Sequence, residues 1–305
     1  MPINQATIRV TVLRGGPSSE RAVSLVSGAA VADACRRLGY RVYEADALPD
    51  DAGALTIETD VVFPVLHGSF GEDGQLQELL EQRQLCYVGS DSAASRRAMN
   101  KDTAKRIWRQ AGLPTAPWKM FDQPTIPEPV EMRFPVIVKP VCEGSSIGVT
   151  FCETETELRA NVSRLVPVYS KVVAEQRLTG AELTVGILGE EPLPVIQIKP
   201  AADFYDYAAK YDRDDTQYLL EPEIDATMYR QVQQLALTAF QSLGCRDYGR
   251  VDLIADNMLG LQLLEINTVP GFTAHSLLPK AAKHAGIDFD QLVESLIQKA
   301  LLRRM

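Results

Sequence analysis

The sharpest chemical pattern lies late in the chain. In Arg250-Val251-Asp252-Leu253 the charged residues are two apart, and in Leu264-Glu265-Ile266-Asn267 the acid and the amide are two apart. A β-strand sends alternate side chains to opposite faces. Read as strands, these segments put their polar pairs on one face and their apolar pairs on the other. If the strands pair, Asp252, Glu265 and Asn267 meet on one surface beside Arg250. Oxygen donors with a guanidinium nearby suit hard Mg²⁺ ions that bridge phosphate oxygens. The same alternation also fits the solvated face of an ordinary antiparallel pair, so its meaning depends on the other segments.

Lys139 ends the apolar run Phe134-Pro135-Val136-Ile137-Val138 and is followed by Glu143-Gly144-Ser145-Ser146-Ile147-Gly148. A lysine closing a buried strand either reaches solvent or meets an anion. A Gly/Ser turn can offer N–H groups and hydroxyls to phosphate oxygens; a plain flexible turn has the same composition. No Gly-Lys-Ser/Thr follows, so this is not a Walker A loop. Gly15-Gly16-Pro17-Ser18-Ser19-Glu20 follows the first apolar run, at the strand end where α/β sheets bind ligands. It lacks the dinucleotide fingerprint, which excludes an NAD site, and Glu20 equally fits a helix-dipole partner. His67-Gly68, with Gly71 and Gly74, follows another such run; a single histidine has structural uses as well as catalytic ones. Asn267 to Leu277 leaves the second acidic strand and enters a helix. Its N–H groups could hold a carboxylate or an oxyanion, or Thr273 or Ser276 could serve only as a cap.

The elements that must position these residues are legible in the periodicity. Ile8 to Leu13 reads as a strand, Glu20 to Leu38 as an amphipathic helix stopped by Gly39, and Arg41 to Ala45 as a strand. Val61 to Leu66 reads as a strand buried on both faces, Gln75 to Arg83 as a helix and Cys86 to Val88 as a short strand. This rhythm predicts a doubly wound parallel sheet. From Ser92 the pattern changes. A helix over Lys101 to Ala111 precedes a Pro-rich surface connection; then come a strand (Phe134 to Pro140), a helix (Thr154 to Val166) and a strand (Lys171 to Glu175). Leu183 to Leu188 and Leu193 to Ile198 form a hairpin around Gly189-Glu190-Glu191. Pro200 to Glu221 is polar and aperiodic, a length of insert that is more often functional than idle. Asp225 to Leu243 is a helix, Gly249 to Ala255 and Leu261 to Asn267 are strands, and two helices close the sequence.

The composition is that of a globular protein: 305 residues, 46% hydrophobic and 23% charged, which argues against disorder and allows about two domains or three small ones. The net charge of −9 disfavours nucleic acid and anionic membrane as partners. The five cysteines are odd in number and none are two residues apart. That favours buried free thiols in a reducing compartment over a disulfide framework or a zinc site. No basic segment followed by an apolar core opens the sequence, and no apolar run approaches the roughly 20 residues that span a bilayer. The expected location is the cytoplasm.

Taken in order, these segments resemble the D-alanine–D-alanine ligases of the ATP-grasp superfamily. The resemblance runs from Ile8 into the C-terminal helix. It is carried by Gly15-Gly16 to Ser24, His67-Gly68 with Gly71-Glu72-Asp73-Gly74, Met99-Asn100-Lys101, and Val138-Lys139-Pro140 with Glu143 to Gly148. Phe204-Tyr205-Asp206-Tyr207 with Lys210-Tyr211, Gly249-Arg250-Val251-Asp252, Glu265-Ile266-Asn267 and Pro270-Gly271 to Leu277 complete it.

The resemblance implies an α/β and α+β chain: an N-terminal doubly wound parallel sheet (1–95) followed by a two-lobed ATP-grasp fold. The central lobe would be 96–178 and the C-terminal lobe 179–305, with a lid at about 200–221. It implies joining of two D-alanines through a D-alanyl phosphate, with release of ADP and phosphate, for peptidoglycan precursors. Lys101 and Lys139 would hold ATP phosphates, Glu175 and Glu182 the adenosine, and Ser145, Ser146, Leu178 and Lys210 would also contact ATP. Asp252, Glu265 and Asn267 would bind two Mg²⁺, with Mn²⁺ as a possible substitute. Glu20 would take the first D-alanine's ammonium, with His67 nearby. Ser145, linked to Glu20 and Tyr211, would lie beside the second substrate, whose carboxylate Ser276 and Leu277 would bind. Arg250 and the Gly271 N–H would stabilise the tetrahedral intermediate. A tyrosine at position 211 goes with D-alanine as second substrate, whereas phenylalanine resembles lactate-accepting relatives. A homodimer is also implied. Two departures stand out. The hinge reads Gln176-Arg177-Leu178 where relatives carry lysine and an aromatic residue, so adenine contacts are expected to differ. Pro17 stiffens the first glycine loop.

Overall fold

The computed structural model describes residues 5–126, 129–199 and 216–304. Most of the expected lid, including Phe204 to Tyr207, Lys210 and Tyr211, lies outside the described residues.

The first layer is a parallel sheet of β1 (Arg9–Arg14), β2 (Arg41–Asp46) and β3 (Val61–Pro64), with β1 in the middle. Every residue of β3 is buried, because both faces are covered. On one face Val10, Val12 and Phe63 meet Val31 and Cys35 of α1 (Arg21–Arg37). On the other, Leu13 and Val62 meet Leu76 and Leu80 of α2 (Gln75–Gln82). The doubly wound reading holds. The expected strand at 86–88 is reduced to one parallel bridge, Val62 with Tyr87. Gly89, at φ 107°, turns away immediately and gives its N–H to Asp247.

The second layer is an antiparallel sheet in the order β4-β7-β5-β6, made of β4 (Trp118–Phe121), β5 (Val136–Pro140), β6 (Thr150–Cys152) and β7 (Val172–Gln176). Two helices lead into it: α3 (Ser92–Met99) and α4 (Lys101–Gln110). The periodicity missed α3, since its buried positions are Ser92, Ala94, Ser95 and Ala98, too small to give an apolar stripe. Asn100 ends α3 and caps α4, accepting the Thr103 N–H at 2.9 Å. Helix α5 (Glu155–Tyr169) covers one face, where Val136, Val138, Val172 and Ala174 pack on Leu158 and Val162. It runs past the expected end at Val166 and through Pro167. Strand alternation sends Ile137, Lys139, Val173 and Glu175 to the opposite face, which is the floor of a cleft.

The third layer is antiparallel, in the order β10-β9-β8-β11-β12: β8 (Gly180–Leu188), β9 (Glu191–Lys199), β10 (Gln217–Leu219), β11 (Tyr248–Asp256) and β12 (Gly260–Asn267). Helix α6 (Ala226–Ser242) covers one face through Val232, Ala236, Ala239 and Phe240. The expected hairpin is β8–β9, with a register shift between Val185 and Ile187. The last two helices, α7 (Leu277–His284) and α8 (Phe289–Arg304), return to the first layer. There Leu292, Val293, Leu296 and Ile297 of α8 join the core of β1 and α1. Phe63 and Tyr248 each meet Phe272 edge to face with ring centres 5.6 and 5.5 Å apart, which ties the parallel sheet to β11 and to the loop after β12.

All five cysteines are free thiols; Cys35, Cys152 and Cys245 are buried, Cys86 is half-buried and Cys142 is exposed. The expectation that all are buried fails at Cys142, which sits on the turn leaving β5. Among the described residues no helix is long and apolar enough to cross a membrane.

Candidate active site

Strands β11 and β12 pair as the alternation requires, with Asp252 opposite Glu265 and Arg250 opposite Asn267. A register shift follows Asp252, so the polar pairing is confined to the ends nearest the cleft. The Asp252 carboxylate, 6% exposed, is held from three sides. Arg250 donates Nε to Oδ1 at 2.9 Å and Nη2 to Oδ2 at 2.7 Å. Thr184 of β8 donates Oγ1 at 2.6 Å and Asn267 donates Nδ2 at 3.2 Å. Glu265 lies 3.6 Å from the Lys101 ammonium. Among the described residues, no group of three or more His, Cys, Asp or Glu side chains is placed to hold a metal alone. Two carboxylates and an amide are what Mg²⁺ uses when substrate phosphates complete its octahedron.

Across the cleft sits a buried charge triad. Glu175, 3% exposed, meets Lys139 through Oε1 and Lys105 through Oε2, the latter at 2.9 Å. Burial alone would push the Glu175 carboxyl up; the two ammonium groups outweigh it and hold it down to about 2. Burial likewise opposes charge on Lys139, but Glu175 outweighs it and holds that ammonium above its ordinary value. Lys101, at the first position of α4, donates to the Glu143 carbonyl at 2.6 Å. Lys101, Lys139, Glu175, Leu178, Glu182, Asp252 and Glu265 all line one cavity of about 720 Å³, a size suited to a small ligand or nucleotide. In the atypical hinge, Arg177 lies over the Phe151 ring at 5.2 Å and 3.5 Å from Glu153. An arginine–aromatic pair thus stands at the wall of this cavity.

A third cluster lies where the Gly/Ser loop meets the N-terminal layer. Ser145 and Ser146 both have left-handed backbones, at φ 50° and 59°. This conformation costs an L-residue about 1–2 kcal/mol and gathers at functional sites. Here it turns the Ser145 hydroxyl onto Glu20 Oε1 at 2.6 Å, both residues being buried. Glu20 occupies the N-cap of α1, but its side chain makes no cap hydrogen bond. The His67 Nδ1 lies 2.9 Å from the Val269 carbonyl. Its Nε2 is buried and has no partner among the described residues. Burial pushes the His67 pKa down against the pull of Glu20, which leaves the ring neutral. Glu72 is pushed up to about 8, by burial first and then by Glu20, although it accepts the Gly68 N–H at 2.7 Å.

Gly271 and Ser276 stand together: a Cβ added to Gly271 would lie 2.9 Å from the Ser276 Oγ. That hydroxyl accepts the Thr273 N–H at 3.1 Å and makes no cap bond to α7. Leu277 packs beside Ile198 and Tyr218. The residues expected to act together therefore fall into four groups, apart from Lys210 and Tyr211, which are not among the described residues. Three side chains were missed in the sequence. Glu72 appeared only as part of a glycine-rich segment. Thr184 reads as an ordinary strand residue. Lys105 had a usable signal, because Lys101, Lys105 and Trp108 fall at i, i+4 and i+7, on one helix face.

An antiparallel lobe with lysines on its cleft face, opposite a second lobe with paired acids, defines the ATP-grasp class of ligases, and solved D-alanine–D-alanine ligase structures share the fold. Family models described as the N-terminus and the C-terminus of D-ala D-ala ligase match residues 44–90 and 107–298. The chain is 42% identical over 298 residues to a D-alanine–D-alanine ligase of Acinetobacter baumannii, covering 96% of each. It is 44% identical over 296 residues to that of Alcanivorax borkumensis, covering 97% of this chain and 94% of the relative. The Bacillus anthracis D-alanine–D-alanine ligase complexed with ATP superposes with a TM-score of 0.84 at 30% identity, over 98% of this chain and 99% of that one. VanG D-Ala:D-Ser ligase of Enterococcus faecalis has the same TM-score at 26% identity, over 96% and 99%. The chain belongs to the D-alanine–D-alanine ligase family.

Proposed function

We propose that the protein joins two D-alanines to D-alanyl-D-alanine at the expense of ATP. The observation that carries this reading is the convergence of Asp252, Glu265, Lys139 and Lys101 on one cleft, with Glu265 and Lys101 paired. A carboxylate is a poor electrophile. Its oxygen attacks the γ-phosphorus of ATP, ADP leaves, and the resulting acyl phosphate carries a good leaving group. Phosphoryl transfer of this kind depends on positioning and charge neutralisation. Lys101, Lys139, Ser145 and Ser146 hold the phosphates, joined by Lys210 from the lid. Glu175, Leu178 and Glu182 flank the adenosine. Asp252, Glu265 and Asn267 would hold two Mg²⁺, or Mn²⁺ in their place, supplying further neutralisation of phosphate charge.

The buried corner suits the amino-acid end. Glu20 takes the ammonium of the first D-alanine, and a neutral His67 beside it adds no repelling charge. Ser276 and Leu277 bind the second carboxylate. The second amine, once deprotonated, attacks the acyl carbon beside Ser145 and Tyr211. Arg250 and the Gly271 N–H stabilise the tetrahedral oxyanion, which collapses with loss of phosphate. The lid at about 200–221 excludes water that would otherwise hydrolyse the intermediate. Three units, 1–95, 96–178 and 179–305, working in a cytoplasmic homodimer complete the proposal.

The test is purified protein with ATP, Mg²⁺ and single D-amino acids, followed by ADP release and product mass. D-Alanine is expected to give both ADP and the dipeptide mass. Turnover with D-serine or D-lactate but not with D-alanine as the second substrate would overturn the substrate assignment.

A further inference from the structure

Lys105 stands outside every role given above, yet it is among the most buried charged groups of the protein, at 1% exposure. Its ammonium has two polar partners. It meets Glu175 Oε2 at 2.9 Å and donates to Thr115 Oγ1 at 2.7 Å. That threonine donates onward to the Leu263 carbonyl at 2.9 Å. Leu263 is bridged to Thr115 in parallel fashion and lies two residues before Glu265 on β12. A continuous polar chain therefore runs from the strand of the paired acids through Thr115, Lys105 and Glu175 to Lys139.

The charge count gives this chain a purpose. Lys139 paired with Glu175 alone would sum to zero, and both carboxylate oxygens would be available to hold that ammonium away from a phosphate. Burial lowers the Lys105 pKa and Glu175 opposes that; with the ammonium held on the second oxygen, the triad carries one net positive charge. Lys105 is 1% exposed at its side chain and Lys139 17%, and only Lys139 lines the cavity. We propose that Lys105 is a positioning residue: it occupies Glu175 so that Lys139 presents an uncompensated charge to the nucleotide phosphates, and Thr115 registers this triad to the metal-binding strand. The inference rests on the reading that the cleft holds ATP.

The test is calorimetric binding of the β,γ-imido analogue of ATP with Mg²⁺ to the full chain. Lys105→Met should weaken binding about tenfold, the scale of a hydrogen bond to a charged group. The loss should be confined to the phosphates: adenosine, which lacks them, should bind Lys105→Met as it binds the wild type, whereas a merely structural role would weaken both ligands alike. Affinity for the analogue unchanged in Lys105→Met, or an equal loss for adenosine, overturns the inference. Should Lys105→Met fail to fold, Thr115→Val decides alone: about threefold weaker binding is expected, less than for Lys105→Met because the ammonium keeps its contact with Glu175, and wild-type affinity refutes it. A wild type that binds no analogue sinks the ligase reading and this inference together; a binding wild type with unaffected variants sinks only this inference.

Discussion

At the hinge, each Glu175 oxygen meets a lysine, whereas at the far corner of the same site the buried Nε2 of His67 meets no partner among the described residues. The first region is built from regular strands and a helix, with its charges paired before any ligand arrives and one positive charge left over. The second is built from loops, with left-handed serines at Ser145 and Ser146 and Glu72 pushed up to about 8. A paired triad with one surplus positive charge fixes where that charge sits, which suits phosphoryl transfer. An unsatisfied, strained corner keeps polar groups available, which suits capture of small zwitterions that supply the missing partners.

Substitutions can break this contrast. The largest effect is expected at the hinge. Lys139→Met removes the charge that faces the cleft and should lower kcat/KM for ATP on the order of 100-fold, as for loss of one transition-state charge stabiliser. An equal loss of kcat/KM in a comparable corner variant would erase the distinction between the regions.

Glu175→Gln comes next. It leaves two buried lysines without their carboxylate and should cost about 3 kcal/mol of stability at pH 7, the scale for breaking a buried pair. The sign with pH follows from the lowered pKa. The ordinary carboxyl value is 4.5 and the folded value about 2. The triad's contribution is therefore fully present above the ordinary value and lost as pH falls toward 2. Thermal melts of wild type and Glu175→Gln between pH 7 and pH 3 should converge as pH falls. A constant gap would place the stabilisation elsewhere.

The smallest expected effect is at the corner. Ser145→Ala loses the hydrogen bond to Glu20 and keeps the left-handed strain; Ser145→Gly loses the bond but relieves the strain. The glycine variant should be the more stable of the two by about 1 kcal/mol. Both should lose activity toward D-alanine by about tenfold, on the scale of one hydrogen bond to a charged group. Equal melting temperatures for the two would mean that the loop is unstrained.

How much of this was legible in the sequence depended on period. The Asp252, Glu265 and Asn267 face could be read because strand alternation is short-range and independent of partners, and the register of β11 with β12 agrees with it. The doubly wound sheet was equally readable, since β3 is apolar at every position. Helix α3 was missed because its buried residues are alanines and serines. Strands β4, β6 and β10 were missed because they are short and, unlike β3, carry polar residues that break any apolar run. Lys105 was passed over because a lysine four residues after another in a helix usually faces water. Only the distant Glu175 and Thr115 give it a reason to be buried, and such partners become visible only once the chain has folded. The return of α8 to the first sheet is of the same kind.

Label transfer tests the central chemical claim most directly. D-Alanine carrying ¹⁸O in both carboxylate oxygens, turned over with ATP and Mg²⁺, should give inorganic phosphate bearing one ¹⁸O, because a carboxylate oxygen becomes the bridge of the acyl phosphate and departs with it. Release of ADP and dipeptide with phosphate free of ¹⁸O would contradict that route.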